Sequence, residues 1–219
     1  MTEEIAQIAV FTALAAAGAT ALMLPLGVAL AWLLARRRFR GKAIVETLVS
    51  LPLVVPPVAT GLILLWLFGR RGPLGGAFEA LGVEVVFTAK AVVLAMAVMG
   101  LPLLVRTARA GFEQATRRYE QLAETLGAGP WRVFRTVTLP LASRNILAGA
   151  LLGFSRALGE FGATIVVAGS IPGRTRTLAV GIYTYTETGQ NSRAAVLLVV
   201  SVSIAFLAVL VSNRLARES

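Results

Sequence analysis

Two full charges, Arg156 and Glu160, stand four residues apart inside an apolar run from Leu141 to Gly169. That separation puts them on one helix face, with Phe161 next in the chain, and at the centre of a bilayer each charge costs about 3 kcal/mol unless paired or wetted. Two uses are open to such a pair. One is a pathway or gate for an ion; the other is a salt bridge that packs helices or subunits, with the glycines of GFSRALGEFGAT allowing close approach. Other chemistry is closed to this chain. With no histidine and no cysteine it has no imidazole base, no thiol nucleophile, no disulfide and none of the commonest zinc ligands. Ser155 in GFSRA is not the Gly-x-Ser-x-Gly elbow of a hydrolase. No Gly-x-x-x-x-Gly-Lys-Ser/Thr phosphate loop occurs, since Gly41 and Lys42 lack the earlier glycine and are followed by Ala43. Neither metal nor cofactor is expected, and a membrane-embedded enzyme is disfavoured.

The second stretch with chemical character is polar and runs from Glu120 to Pro140, EQLAETLGAGPWRVFRTVTLP. Phe112, Ala115, Tyr119, Leu122 and Leu126 recur three and four residues apart, with Glu113, Arg117, Arg118, Gln121 and Glu124 on the remaining faces, which predicts an amphipathic helix. Gly127 and Gly129 end it, and Pro130 suits the first turn of a second short helix carrying Trp131, Val133, Phe134 and Val137. A helix, a sharp corner and another helix, hung between membrane spans, make a rigid docking surface for a second protein.

The elements that must position these residues are membrane spans. The 219 residues are 57% hydrophobic, with a mean hydropathy of +0.78, and the apolar runs are too long for a soluble domain. Ile5 to Ala35 carries no charge, and its 31 residues exceed the roughly 20 that cross a bilayer, so it must tilt, bend or protrude, with Pro25 and Gly27 as bend points. Glu3 and Glu4 precede it and basic residues follow, the reverse of a cleaved signal. Ala43 to Phe68 is broken by Pro52, Pro56 and Pro57, a pattern tolerated where neighbouring helices or a cavity satisfy the freed carbonyls. Ala91 to Val105 is a third span, which Val85 to Ala89 could extend; Leu141 to Gly169 is a fourth and Ala194 to Val211 a fifth. Between the last two, Ile171 to Gly173 reads as a turn and Leu178 to Thr186 as an apolar stretch too short to cross.

The net charge of +10 is topological. With five spans and the N-terminus outside, 14 of the 21 basic residues fall on the cytoplasmic side: Arg36, Arg37, Arg38, Arg40, Lys42, Arg106, Arg109, Arg117, Arg118, Arg132, Arg135, Arg144, Arg214 and Arg217. The positive-inside rule therefore places the Glu120 to Pro140 stretch in the cytoplasm and removes the need for a nucleic-acid partner. Arg70, Arg71, Arg174, Arg176 and Arg193 leave the outer mouth basic, a bias toward anions.

The polar stretch resembles the cytoplasmic loop of ATP-binding cassette importer permeases, whose pattern is Glu-Ala-Ala, three residues, Gly, nine residues, an aliphatic, one residue, Leu-Pro. Gly127, Val137, Leu139 and Pro140 fit it; Gln121 and Leu122 replace its Glu and first Ala, Ala123 matches, and Glu120 stands one place early. SRALGEFGA (Ser155 to Ala163) and IPGRTRT (Ile171 to Thr177) are similar to segments of molybdate permeases, and the GEFGA core also to sulfate permeases. The likeness extends from RRRFRGK through LPLVVPP and GRRG to the last span. Sulfate permeases usually carry a further N-terminal span, so molybdate is favoured, with tungstate not separable from it.

The resemblance implies an all-α bundle of about five transmembrane helices, a type I ABC importer transmembrane domain filling residues 1–219, with a cytoplasmic coupling loop at 106–144. It implies a multi-pass protein of the bacterial inner membrane, two copies of an ABC ATPase subunit, a second copy of this chain, an extracytoplasmic oxyanion-binding protein, molybdate as cargo, and lipid around the bundle. By position, Glu120, Gln121, Ala123, Gly127, Pro130, Trp131 and Phe134 would couple to the ATPase, and Arg156, Glu160 and Phe161 would belong to the pathway or gate. From a different class, an ATPase-independent channel or scaffold needs no docking loop.

Overall fold

The computed structural model describes the backbone of residues 2–115 and 117–217 and the side chains of 3–115 and 118–210; the side chains of Arg117, Arg214 and Arg217 lie outside the described residues. Among the described residues every regular element is helical: α1 (Thr2–Arg36), α2 (Lys42–Val54), α3 (Pro57–Phe68), α4 (Gly75–Ala80), α5 (Ala89–Gln114), α6 (Arg117–Thr125), α7 (Pro130–Val133), a π-helical turn (Phe134–Thr138), α8 (Leu139–Leu158), α9 (Gly162–Ala168), α10 (Leu178–Glu187) and α11 (Asn191–Arg217).

The core is the packing of α1, α5 and α8, and small residues make it possible. Ala15, Ala16, Ala19, Ala95, Ala108 and Ala142 are buried along it. A Cβ added at Gly100 of α5 would lie 2.9 Å from the carbonyl of Gly153 on α8, and one at Gly149 would lie 3.0 Å from that of Leu104. The two backbones therefore approach to a distance that only glycine permits, the usual route to association where lipid removes the hydrophobic drive. Other large apolar side chains point away: Leu14 and Leu22 of α1, Leu62 and Trp66 of α3, and Phe206 of α11 are all exposed on the isolated chain.

Four helical units are long and apolar enough to cross a membrane, and the bent pair α2–α3 brings the number to five, as the sequence suggests. The bend is 117°, and the prolines explain its place. Val55 precedes Pro56 and Pro56 precedes Pro57, so both are pushed out of the α region, to ψ values of 135° and 134°, while Pro57 opens the next helix. The pair still runs from one end of α5 to the other. Glu46 near its start meets Arg109 toward the end of α5, whereas Phe68 at its end lies with Val85 to Thr88, just before α5 begins.

Several expectations change, among them an unbroken span from Leu141 to Gly169, which the structure interrupts between Leu158 and Gly162. Span three does not extend backward through Val85: Phe87 donates its N–H to the Val167 carbonyl, holding 83–88 as a non-helical strap, and the helix instead runs on to Gln114. The amphipathic helix is not continuous, because Ala115 is extended (ψ 113°) and separates Phe112, buried in the core, from Tyr119, Leu122 and Leu126, which are exposed. The helix opened by Pro130 is not short; through the π turn it joins α8, so one helical unit runs from Pro130 to Leu158. Span one, by contrast, is a single helix through Pro25, about 52 Å long and longer than a bilayer is thick.

The N-termini of α1 and α11 lie together. Tyr185 of α10 donates to the Glu4 carboxylate, Arg193 of α11 sits 5.7 Å over the Tyr185 ring, and Ile8 packs with Ala194 and Leu197. The two helices therefore start at the same end of the bundle, opposite the basic Arg36–Lys42 turn. Burial, followed by the hydrogen bond to Glu4, raises the Tyr185 phenol above its ordinary pKa, so it stays a donor at neutral pH.

Candidate functional site

At the basic end, α6 closes with two hydrogen bonds, from Gly127 N–H to the Glu124 carbonyl (2.9 Å) and from Ala128 N–H to the Ala123 carbonyl (3.0 Å). This pair is a Schellman cap, and it requires a left-handed residue at its centre. Gly127 supplies it with φ +83°, and no atom lies within 4 Å of where its Cβ would be, so conformation alone demands glycine there. Gly129 is extended and Pro130 occupies the first turn of α7, which completes the corner.

The corner carries an unpartnered apolar surface. Trp131 is 72% exposed and stacks on Phe134 at 5.7 Å, and Phe134 meets Trp32 of α1 edge-on, also at 5.7 Å. Tyr119, Leu122 and Leu126 face a groove of about 510 Å³ shared with Val137 and Pro140. Gln121 is exposed and Ala123 half-buried. Glu120 is turned inward, and one of its oxygens accepts from the Arg36 guanidinium and the Thr138 hydroxyl, each at 2.7 Å. Of the seven residues expected to couple, six thus gather around one corner and Glu120 joins that corner to α1. Nothing in the sequence paired Arg36 or Trp32 with this loop, or Thr138 with Glu120.

The second site lies where α8 breaks. Glu160, 1% exposed, accepts the Ala163 N–H at 2.7 Å with one oxygen, which caps α9, and pairs with Arg156 at 2.7 Å through the other. Both oxygens are occupied, so the buried carboxylate is neutralised where it stands. Phe161 packs on Tyr183 of α10, with ring centroids 4.9 Å apart. The break in α8–α9 faces the break in α2–α3: a Cβ on Gly162 would meet the Pro57 ring at 2.7 Å, and one on Gly61 the Ala163 carbonyl at 2.8 Å. Thr164, wholly buried one turn on, has a hydroxyl with no hydrogen-bond partner. Two interrupted spans thus face each other beside the Arg156–Glu160 pair, and irregular backbone within a span is tolerated only inside protein or beside a cavity.

The IPGRTRT segment holds itself. Thr175 accepts the Ile171 N–H at 3.0 Å and Thr177 caps α10 by accepting from Val180, so both threonines serve the turn. The outer field is weaker than the sequence suggests, because Arg70 pairs with Glu84 at 3.1 Å and Arg176 lies 3.8 Å from Glu4.

Residues 23–218 match the family model described as the binding-protein-dependent transport system inner membrane component. This chain belongs to that family. The molybdenum transport system permease protein ModB of Escherichia coli (strain K12) is 47% identical over 198 residues, covering 90% of this chain and 86% of that protein. The protein of the same name from Haemophilus influenzae is 42% identical over 197 residues, covering 89% and 86%. Among solved structures, a bacterial alginate ABC transporter in complex with alginate pentasaccharide-bound periplasmic protein superposes with a TM-score of 0.76 at 15% identity, covering 97% of this chain and 78% of that one. The permease therefore has the fold of an ABC importer transmembrane domain and is a multi-pass protein of the inner membrane.

Proposed function

We propose that this permease is the membrane subunit of an ATP-driven molybdate importer. The observation that carries the substrate is the 47% identity, over nine-tenths of the chain, to a molybdenum transport permease. The SRALGEFGA and IPGRTRT segments point the same way. Its partners on this reading are two ABC ATPase subunits, a second copy of itself and an extracytoplasmic oxyanion-binding protein.

The polar loop 106–144 would lie in the cytoplasm, with the Gly127–Pro130 corner presenting Gln121, Ala123, Trp131 and Phe134 to the ATPase. Aromatic side chains exposed on a rigid frame are the residues that anchor interfaces. Closure of the ATPases would move the corner as a body and shift the bundle between states that they bind with different affinity. The facing breaks at Pro56 and Glu160 would be the place where the path opens, since backbone without regular hydrogen bonds rearranges at least cost. Arg156 is the cation there, 28% exposed, and Glu160 balances it so that an anion is not held too tightly to leave.

Uptake of labelled molybdate into vesicles holding the permease, its ATPase and its binding protein tests this reading. Tungstate should compete strongly and sulfate weakly. Strong inhibition by equimolar sulfate would favour the second reading, a sulfate permease, which the shared GEFGA core supports. Uptake without ATP would point to a channel.

A further inference from the structure

We propose that Arg36 and Glu120 form the joint that passes a displacement of α6 to α1, so that the acid at the start of this loop works inside the permease and does not contact the ATPase. The inference rests on the reading that the Gly127–Pro130 corner meets an ATPase.

The geometry is specific. Arg36 is the last residue of α1, and one of its nitrogens reaches Glu120 at 2.7 Å and the Ala115 carbonyl at 3.0 Å. A single group thus grips α6 and the end of α5 together. The same Glu120 oxygen accepts from Thr138, which brings the π turn into the joint. Side-chain exposure is 11% for Arg36 and 18% for Glu120, so water screens the pair little. A surface ion pair would transmit almost nothing; a shielded, charge-assisted one with fixed geometry can.

Little else fixes α6. Tyr119, Leu122 and Leu126 are 56%, 58% and 81% exposed, and the helix is cut from α5 by the extended Ala115. An amphipathic helix without a buried apolar face takes its position from its polar ties. Glu120 and Gln121 differ by one position and therefore by about 100° around α6. The exposed Gln121 occupies the place of the acid in the permease pattern, while Glu120 looks inward. The edge-on contact of Phe134 with Trp32, one turn before Arg36, is the apolar half of the same joint. Since α1 packs along α5 and α8 for much of its length, a shift at Arg36 reaches the whole core.

The experiment uses the assembled transporter in vesicles and three readouts: co-purification of the ATPase, ATP hydrolysis, and molybdate uptake. Glu120→Gln and Arg36→Gln should each keep the ATPase bound and hydrolysing while uptake per ATP falls about tenfold, the size of a typical coupling term. Arg36→Lys, which keeps the charge but loses the fork, should fall in between. Because the chain has no cysteine, Arg36→Cys with Glu120→Cys can be bridged by a short bifunctional thiol reagent. Bridging should restore most of the uptake that the double variant loses, which a merely stabilising pair would not show. Loss of the ATPase from Glu120→Gln would overturn the proposal, because Glu120 would then be a docking contact. Unchanged uptake per ATP in both single variants, or no recovery on bridging, would overturn it as well. Failure of the unaltered permease to co-purify any ATPase would instead remove the underlying reading.

Discussion

At the scale of single residues, Glu160 shows why a buried charge has to be read with its partners. It satisfies Arg156 and the α9 cap at once, so removing Arg156 strands a carboxylate in a low-dielectric site, while removing Glu160 leaves the partly exposed Arg156 unpaired and α9 without its cap. Glu160→Ala and Arg156→Ala should each lower stability by about 3 kcal/mol, seen as a fall in melting temperature of the detergent-purified protein, and the double variant should be less unstable than their sum. An additive double variant would show that the pair does not interact. Gly127 makes the opposite case, since nothing crowds it. Gly127→Val should cost only about 1 to 2 kcal/mol, through its left-handed backbone, yet abolish uptake by reshaping the corner while membrane insertion stays normal. Normal uptake would remove the corner from the coupling path.

At the scale of elements, two broken spans share one contact, and glycine sets its closeness. Gly61→Ala brings a methyl to 2.8 Å from a backbone carbonyl, which no rotamer change relieves, so α3 must move from α9. Overpacking of this kind costs about 1 to 3 kcal/mol. The change should alter uptake as well as stability, because it opens the facing breaks. Gly159→Ala is the control: its φ is −90° and no atom lies within 4 Å of its Cβ, so its melting temperature and uptake should stay near those of the unaltered protein. Equal losses from both would mean that close approach of α3 and α9 is not what matters.

At the scale of the whole molecule, five crossings leave the start of α1 and the corner at opposite ends of the bundle. Cysteines placed singly at Glu3 and Thr125 should therefore label from opposite sides of sealed vesicles, Glu3 from the outside. Labelling from one side would mean that α2 and α3 form a hairpin that re-enters, not a broken span. The exposure of large apolar side chains on α3 and α11 agrees with a body surrounded by lipid.

Local rules governed much of this. Runs of apolar residues long enough to cross, prolines that expel the preceding residue from the α region, a glycine-proline corner and the bias of arginine between loops are all covalent or short-range facts, so the helical class, the place of the α2–α3 break and the corner at Gly127 were legible in order along the chain. The spacing of Arg156 and Glu160 put both on one helix face and left a pathway and a packing salt bridge open, whereas the helix ends at Leu158 and Glu160 reaches Arg156 from the break. Tertiary packing decided what spacing cannot encode. Glu120 and Gln121 are neighbours in sequence, and only the arrival of Arg36, 84 residues away, turns one inward and leaves the other exposed. Phe87 looked like the extension of a span until the Val167 carbonyl claimed its N–H. The two breaks face each other because Gly61 and Gly162 let α3 and α9 touch, and long-range contact of that kind depends on the shape of both partners at once.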